Sequence, residues 1–108
     1  MTEINENDLA LNKANAGEAS KLLKAMANEN RLLILCMLGD NELSVSELND
    51  GIGLSQSALS QHLAVLRNDD LVKTRRASQT IYYSLAHELP KQIIRVLQQN
   101  YCPEKLDI

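Results

Sequence analysis

The sequence predicts a small, mainly α-helical domain that carries one β-hairpin near its C-terminal end. Apolar residues recur at helical spacing in five segments, and polar capping residues precede three of these segments. Two short runs rich in Val, Thr, Ile and Tyr, 71–76 and 80–85, are separated by a small polar loop and are typical of paired strands. The expected order is therefore four helices, the hairpin and a fifth helix.

The composition indicates one domain with an aliphatic core. The 108 residues are 44% apolar but include no Trp or Phe, so the core must be built from Leu, Ile, Val, Ala and Met. Such a small core is marginal on its own, which favours an apolar surface for a second subunit. We expect a folded domain over 8–102, between a disordered arm at 1–7 and a tail at 103–108.

The N-terminus and the absence of a long apolar run favour a cytoplasmic protein. The chain has no run of about 18 apolar residues that would span a membrane, and its N-terminus is acidic and polar, unlike a signal peptide. In that compartment the two cysteines are not expected to form a permanent disulfide.

The net charge is −3, but the acidic excess lies mostly in 1–20, whereas basic residues exceed acidic ones in 55–76. The basic segment suits an anionic partner.

The first two predicted helices have structural roles. An amphipathic helix is expected over 8–27, where it would pack against the core and a partner subunit. A second helix is expected over 29–38, capped by Asn28 and ended by Gly39. It is apolar nearly all round and is therefore expected to be buried. Cys36 lies on its apolar stripe, a position typical of a small core residue.

The third and fourth predicted helices form a helix-turn-helix. Ser44 and Glu47 make a capping box that starts the third helix, which is expected to end near Asp50-Gly51. A glycine-containing connection leads to the fourth helix over 54–67, in which Ser55 is the N-cap. Two capped helices around such a turn are typical of DNA-binding domains.

The fourth helix combines an apolar inner face with a polar, uncharged outer face. Leu59, Leu63 and Leu66 define the inner stripe. An ordinary solvated face would carry Lys and Glu, whereas a helix in the major groove needs short hydrogen-bond donors and acceptors. The helix-turn-helix context favours recognition of DNA. His62, beside the stripe, is expected to be half-buried and to brace the helix. The candidate DNA-binding residues here are Ser55, Gln56, Ser57, Ser60, Gln61 and Arg67.

The hairpin is a second candidate contact with DNA. Arg75 and Arg76 lie near its tip and Gln79 lies in its loop. An arginine pair at a strand end is often only solvated, but beside a helix-turn-helix it suits bidentate contact with phosphates or entry into the minor groove. Tyr82 and Tyr83 point to opposite faces of their strand, so one of them should pack on the core.

The last predicted helix, over 90–101, begins with Pro90 and has a wide apolar face. Because the core is already covered by the other elements, we expect this helix and the first one to form a homodimer interface. Two subunits would then place two recognition helices in successive major grooves of a palindromic site on double-stranded DNA.

Over residues 18–102 these elements resemble the ArsR/SmtB family of winged-helix repressors. The resemblance is carried by NRLLILCML in the second helix, ELSVSEL at the third, LSQSALSQHLAVLR at the fourth and LV-TRR-x3-TIYYSL in the hairpin. It implies a winged helix-turn-helix fold. It also implies a dimeric repressor or anti-repressor whose affinity for DNA is switched by a metal or by thiol chemistry.

The chain departs from the metal-sensing members of that family. Ser44-Val45-Ser46 stands where those members have Cys-x-Cys, and serine is a poor ligand for soft metals. Leu85-Ala86-His87 replaces the Asp-x-His start of their other metal site, and no His follows it. We therefore expect no metal site and no cofactor. Asp70 and Ser78 replace glycines often found in the turns of the wing, which predicts strained backbone there.

The closer resemblance is to the HlyU/BigR/SqrR/YgaV subgroup. Its members have one cysteine within LCML of the second helix and one within YC at the end of the last helix, and Cys36 and Cys102 match both positions. The resemblance implies redox sensing, in which reactive sulfur species (a persulfide) or reactive oxygen species join the pair by a disulfide or polysulfide bridge. An alternative is a metal- or haem-responsive repressor that uses Cys36, Cys102 and His87. The chain has no Cys-x-x-Cys pair, cofactor loop or acid–base constellation, so no enzymatic activity is expected.

Overall fold

The computed structural model describes residues 13–102 of the chain. The expected N-terminal arm, the start of the first predicted helix and the C-terminal tail lie outside the described residues. The elements are α1 (Ala16–Met26), α2 (Glu29–Leu38), β1 (Leu43–Ser44), α3 (Val45–Ile52), α4 (Gln56–Asn68), β2 (Val72–Ala77), β3 (Thr80–Leu85) and α5 (Glu88–Tyr101). The expected mainly α-helical fold with a hairpin is confirmed.

The hairpin of β2 and β3 differs from the prediction at its tip. Ala77 pairs with Thr80, so that only Ser78 and Gln79 form the turn, and β2 begins one residue later than predicted. Ser78 has φ 60°, a left-handed conformation that lets a two-residue turn follow the twist of the strands. The predicted three-residue loop is therefore wrong, because its first residue belongs to the ladder.

A third strand, β1, was not predicted. Leu43 pairs with Tyr83 and Ser44 with Tyr82, which gives an antiparallel sheet in the order β1-β3-β2. A two-residue strand is too short to show the alternating pattern by which strands are recognised. The sheet also settles which tyrosine packs inward, because Tyr83 lies against the core cluster.

The predicted helix caps are confirmed. The side chains of Asn28 and Ser55 each accept a hydrogen bond from the backbone N–H three residues further on, at 3.1 and 3.2 Å. Ser44 and Glu47 form the complete capping box: the N–H of Glu47 donates to Ser44 Oγ at 3.2 Å, and the N–H of Ser44 donates to Glu47 Oε1 at 2.9 Å. These bonds satisfy N–H groups that have no partner within the helix.

Two helix starts differ from the prediction. Residues 13–14 are helical, but Asn15 forms a bend, so that the single helix predicted from residue 8 is interrupted there. Asn15 and Gly17 are both poor helix formers, which accounts for the break. The last helix begins at Glu88 rather than at Pro90. Pro90 is tolerated because the N–H groups of a first turn lack intrahelical partners in any case.

The end of α3 also lies further along the chain than predicted. The helix continues through Gly51 to Ile52, and Gly53 is the C-cap, with φ 75°. That left-handed conformation is the one for which glycine is favoured. Gly51 lies inside the helix, and the thioether of Met37 occupies the space where a β-carbon would project.

Backbone strain occurs at both positions predicted for it. Asp70, between α4 and β2, has φ 62°, and Ser78, at the tip of the hairpin, has φ 60°. Both lie in the left-handed region, which Ser rarely adopts and which Asp tolerates better although less readily than Gly. The turns hold these conformations because the helix before them and the strands around them are anchored in the core.

The core is centred on α2 and holds α4 against the sheet. Ile34, Leu35 and Leu38 are completely buried, as are Leu59 and Leu66 of the predicted inner stripe. The full set of buried hydrophobic residues is Ala25, Met26, Ile34, Leu35, Leu38, Leu48, Leu59, Leu63, Leu66, Leu71, Val72, Leu85 and Ile94. Because α4 contributes to the same core as α2, its outer face is held in a defined orientation. No helix in the described part of the chain is long and apolar enough to cross a membrane.

Candidate nucleic-acid interface

The outer face of α4 is exposed, polar and uncharged. Ser57, Ser60 and Gln61 lie on it, away from the buried leucine stripe, with their side chains accessible to solvent. Gln56 is also exposed, but it lies three residues before Leu59 and so projects from the first turn on the side of that stripe. Short hydroxyl and amide groups on a convex helix can approach base edges, where they both donate and accept hydrogen bonds. The structure thus brings Ser57, Ser60 and Gln61 together on one surface and leaves Gln56 exposed at its N-terminal edge.

Ser55 and Arg67 lie at the two ends of this helix. Ser55 is exposed at the N-terminus, where its Oγ accepts the capping hydrogen bond and lies 3.4 Å from the Oγ of Ser57. Its hydroxyl proton can still be donated outward. Arg67 is exposed in the last turn, where a cation is favourable beside the negative end of the helix dipole.

His62 is half-buried and is held by Arg31, at the N-terminal end of α2. The guanidinium of Arg31 donates from Nε to the carbonyl of Ala25 at 2.6 Å, and its Nη1 lies 3.4 Å from Nδ1 of His62. A guanidinium has no acceptor, so Nδ1 must accept in this contact. The contact joins α4 to the junction of α1 and α2, as the predicted bracing role of His62 requires. The part played by Arg31 was not predicted.

The two wing arginines lie on opposite faces of the sheet. Side chains alternate along a strand, so Arg76 shares the face of Val72, which is buried in the core. Arg75 and Lys73 lie on the outer face. Both arginines are exposed, and Gln79 is exposed in the turn beyond them. The tip of the wing therefore carries a cation on each face.

Arg75 already has a partner, Glu42, which lies directly before β1. Its Nε donates to both carboxylate oxygens of Glu42 at 3.0 Å, and its Nη2 donates to one of them at 2.7 Å. The centre of the guanidinium also lies 5.0 Å from the centroid of the Tyr82 ring, within cation–π distance. The hydrogen bond from Arg75 lowers the pKa of Glu42 and raises the pKa of Arg75 itself.

The two cysteines line one apolar cavity between α2 and α5. Cys36 lies on α2, and Cys102 is the C-cap of α5; both are half-buried. The cavity has a volume of about 230 Å³ and is open to solvent. The remaining lining residues are Leu32, Leu97, Gln98 and Tyr101. The fold therefore brings together two thiols that are 66 positions apart in the sequence.

His87 does not join the cysteines. It is the N-cap of α5, whereas Cys102 caps the opposite end of the same 14-residue helix, about 20 Å away at 1.5 Å per residue. His87 instead lines a surface pocket with Asp69 and Asp70. Within residues 13–102 no group of three or more His, Cys, Asp or Glu side chains is arranged to hold a metal ion. The ligand set of the metal-responsive alternative is therefore not assembled.

Neither Glu42 nor Tyr82 was predicted to contact Arg75 at the proposed interface. Glu42 is 33 positions from Arg75 in the sequence, and the two meet only because β1 joins the sheet beside β3. The sequence signal was the alternation of residues 42–44, which would place Glu42 on the same side of an extended segment as Ser44 of β1. Without knowledge of β1 that signal has no partner strand.

The known proteins that this chain resembles in sequence are bacterial regulatory proteins. A family model described as bacterial regulatory protein, arsR family, matches residues 28–74. The transcriptional activator HlyU of Vibrio cholerae is 59% identical over 88 residues, which cover 82% of this chain and 82% of HlyU. The HTH-type transcriptional regulator YgaV of Escherichia coli K12 is 47% identical over 89% of this chain and 98% of YgaV.

Solved structures give the same picture. Reduced HlyU from Vibrio cholerae matches with a TM-score of 0.82 at 56% identity, covering 86% of this chain and 98% of that one. The homodimeric winged helix-turn-helix DNA-binding domain of Mb0332 from Mycobacterium bovis matches with a TM-score of 0.70 at 28% identity. It covers 91% of this chain and 87% of that one.

Proposed function

The chain belongs to the arsR family of bacterial regulatory proteins and is a DNA-binding transcriptional regulator, and we propose that its affinity for DNA is switched by oxidation or persulfidation of Cys36 and Cys102. The observation that carries this proposal is that both thiols line the same apolar cavity. A pair of cysteines at one cavity has a reaction available that neither thiol has alone, which is joining by a covalent bridge.

In the proposed complex, α4 enters the major groove and reads bases through its uncharged outer face. Gln56, Ser57, Ser60 and Gln61 would contact base edges, because each is exposed and short enough to allow close approach. Ser55 and Arg67 would contact DNA from the two ends of the helix. Arg75, Arg76 and Gln79 of the wing would contact the phosphate backbone or the minor groove.

We propose that the regulator is a homodimer that uses α1 and α5. Large apolar side chains are exposed on both helices: Leu23 is 54% exposed, Val96 is 55% exposed and Tyr101 is 80% exposed. Residues of this kind usually cover one another at subunit interfaces. One structural relative is itself a homodimeric winged helix-turn-helix domain. A two-fold axis through such an interface would present two copies of α4 to a palindromic site.

The proposed switch joins the two sulfur atoms. Oxidation of both thiols to a disulfide releases two protons and two electrons, and a peroxide takes these up as it is reduced to water. Two persulfide molecules can instead form a trisulfide bridge: one gives up its outer sulfur and leaves as a thiol, and the other takes up the two electrons and two protons and is reduced to a thiol and hydrogen sulfide. A direct disulfide needs Cα atoms about 4.4–6.8 Å apart, whereas a longer bridge tolerates a wider spacing.

A bridge would reach DNA binding through α2. Cys36 is adjacent to Leu35, whose buried side chain belongs to the same core as Leu59 of α4. Close-packed cores transmit displacements instead of absorbing them, so tying α2 to the end of α5 would shift α4. Because α5 carries Val96 of the proposed dimer surface, the spacing of the two recognition helices would change as well.

The first test compares reduced and persulfide-treated protein on a DNA site that the reduced protein has selected from a random library. We expect treatment to weaken binding, and intact mass to show the loss of two hydrogen atoms, alone for a disulfide or together with the gain of whole sulfur atoms for a longer bridge. Cys36→Ser and Cys102→Ser variants should bind the same site when reduced and should not respond to treatment. Unchanged binding by protein that carries the bridge would contradict the switch while leaving DNA recognition intact.

Arg76→Ala tests the contact of the wing with the backbone. Phosphates are the same in every sequence, so we expect weaker binding to selected and random DNA alike. The slope of the logarithm of the binding constant against the logarithm of the salt concentration should fall in magnitude by about one. Measurement of both DNAs over a range of salt concentrations provides the check. An unchanged slope would mean that Arg76 neutralises no phosphate.

A further inference from the structure

The ion pair between Glu42 and Arg75 competes directly with DNA for the same guanidinium. We propose that Glu42 restrains DNA binding by holding Arg75 of the free protein away from phosphate, so that the wing must exchange a carboxylate for a phosphate when it binds. This proposal rests on the proposed role of the wing as a contact with the DNA backbone.

The guanidinium of Arg75 binds the carboxylate of Glu42 in the same geometry by which an arginine binds a phosphate. Nε and Nη2 of Arg75 donate side by side to the carboxylate of Glu42, with three donor–acceptor distances of 2.7–3.0 Å. Arginine binds phosphate through similar parallel N–H groups, because carboxylates and phosphates both accept bidentately. The Tyr82 ring lies against the guanidinium and holds it in place. The donors are therefore aligned for an anion, and that anion is Glu42.

Stabilisation of the fold is a poor explanation for this pair. The side chain of Arg75 is 55% exposed and that of Glu42 is 39% exposed, and ion pairs at exposed sites contribute little to the free energy of unfolding. The pair nevertheless affects charge at the proposed interface. It neutralises one of the cations of the wing and leaves a carboxylate where the DNA backbone would approach.

The neighbouring Arg76 provides the contrast. Within residues 13–102 it forms no ion pair, and it lies on the other face of β2. It can therefore contact phosphate with no exchange of partner. Two adjacent arginines of one wing thus have different costs of binding, and the difference is set by Glu42.

The test uses Glu42→Gln, which removes the charge but keeps a side chain of the same shape. We expect tighter binding to both random and selected DNA, by several-fold at about 0.1 M salt. We also expect a salt slope steeper by about 0.9, the value for one phosphate neutralised, because the pair of Arg75 with Glu42 carries no net charge whereas Arg75 alone carries one. Circular dichroism and thermal unfolding should be unchanged, because the side chain is exposed.

Two controls isolate the role of Arg75. Glu88→Gln removes another exposed carboxylate, which is 69% exposed against 39% for Glu42 and pairs with Lys91 on α5, and it should leave the slope unchanged. Glu42→Gln introduced into an Arg75→Gln background should have no further effect on the slope, because the restrained cation is gone. Equal gains from the two glutamate variants, or a gain that persists without Arg75, would overturn the proposal in favour of general charge repulsion.

A loss of affinity in Glu42→Gln would overturn it in a different way, by showing that Glu42 positions the wing for binding. Wild-type protein is measured in parallel on the same DNA. If the folded wild-type protein bound neither DNA, the proposed function would fail. If it bound both and Glu42→Gln changed nothing, only the restraint by Glu42 would fail.

Discussion

Replacing Leu59 by alanine is expected to lower the free energy of unfolding by about 2–5 kcal/mol. Leu59 lies on the inner face of α4, and its side chain is completely buried in the core. The substitution removes apolar contacts and leaves a cavity that the surrounding leucines fill only in part. Because the whole domain is expected to be stable by about 5–15 kcal/mol, this loss is a large share of the total.

Urea-induced unfolding at a fixed protein concentration measures this effect, since concentration alters the apparent stability of a dimer. Ser60→Ala, one position along the same helix, is the matched control. Because Ser60 is exposed, the free energy of unfolding of the Ser60→Ala variant should stay within about 0.5 kcal/mol of that of the wild type. A loss below about 1 kcal/mol for Leu59→Ala would mean that the inner face of α4 is not close-packed.

Replacing Gln61 by alanine is expected to weaken binding to the selected DNA site by about 1–3 kcal/mol and to leave binding to random DNA nearly unchanged. Gln61 is exposed on the outer face of α4, where its amide can donate to and accept from one base. Non-specific binding depends on phosphate contacts, and glutamine neutralises none. The variant should therefore separate sequence reading from electrostatic attraction.

Titration of both DNAs at one salt concentration gives the comparison. Gln92→Ala provides the control, because Gln92 is also an exposed helical glutamine but lies on α5. It should bind both DNAs as the wild type does. Equal losses on selected and random DNA for Gln61→Ala would exclude Gln61 as a base-reading residue. Unfolding of each variant verifies that a loss of binding does not come from a loss of structure.

The parts of the fold that were predicted correctly depend on residues close together in the chain. The caps at Asn28, Ser44 and Ser55 each involve a side chain and an N–H group three residues away. The turn after α4 was likewise predicted from adjacent residues, whereas the strain at Asp70 was expected from the family resemblance. Local hydrogen bonds and backbone sterics act within one helical turn, so a short stretch of sequence contains all that they require.

The errors occur where local preferences are weak and contacts with distant residues contribute. The break at Asn15 and the extension of α3 to Ile52 depend on small differences in helix propensity, which the surrounding packing can override. At Gly51 the thioether of Met37, a residue of another helix, occupies the space that a β-carbon would enter. β1 was missed because two residues cannot show a strand period, and the strand exists only through its pairing with β3.

The sequence by itself determined the helices of the DNA-binding unit, the hairpin and the uncharged outer face of α4, because periodicity and capping are local properties of the chain. Only the tertiary structure decided which distant side chains meet. It places Cys36 and Cys102 at one cavity and separates His87 from both. It also pairs Arg75 with Glu42. These contacts depend on how the helices and the sheet pack, and that packing is shared among all the buried residues of the core instead of being specified by any one segment.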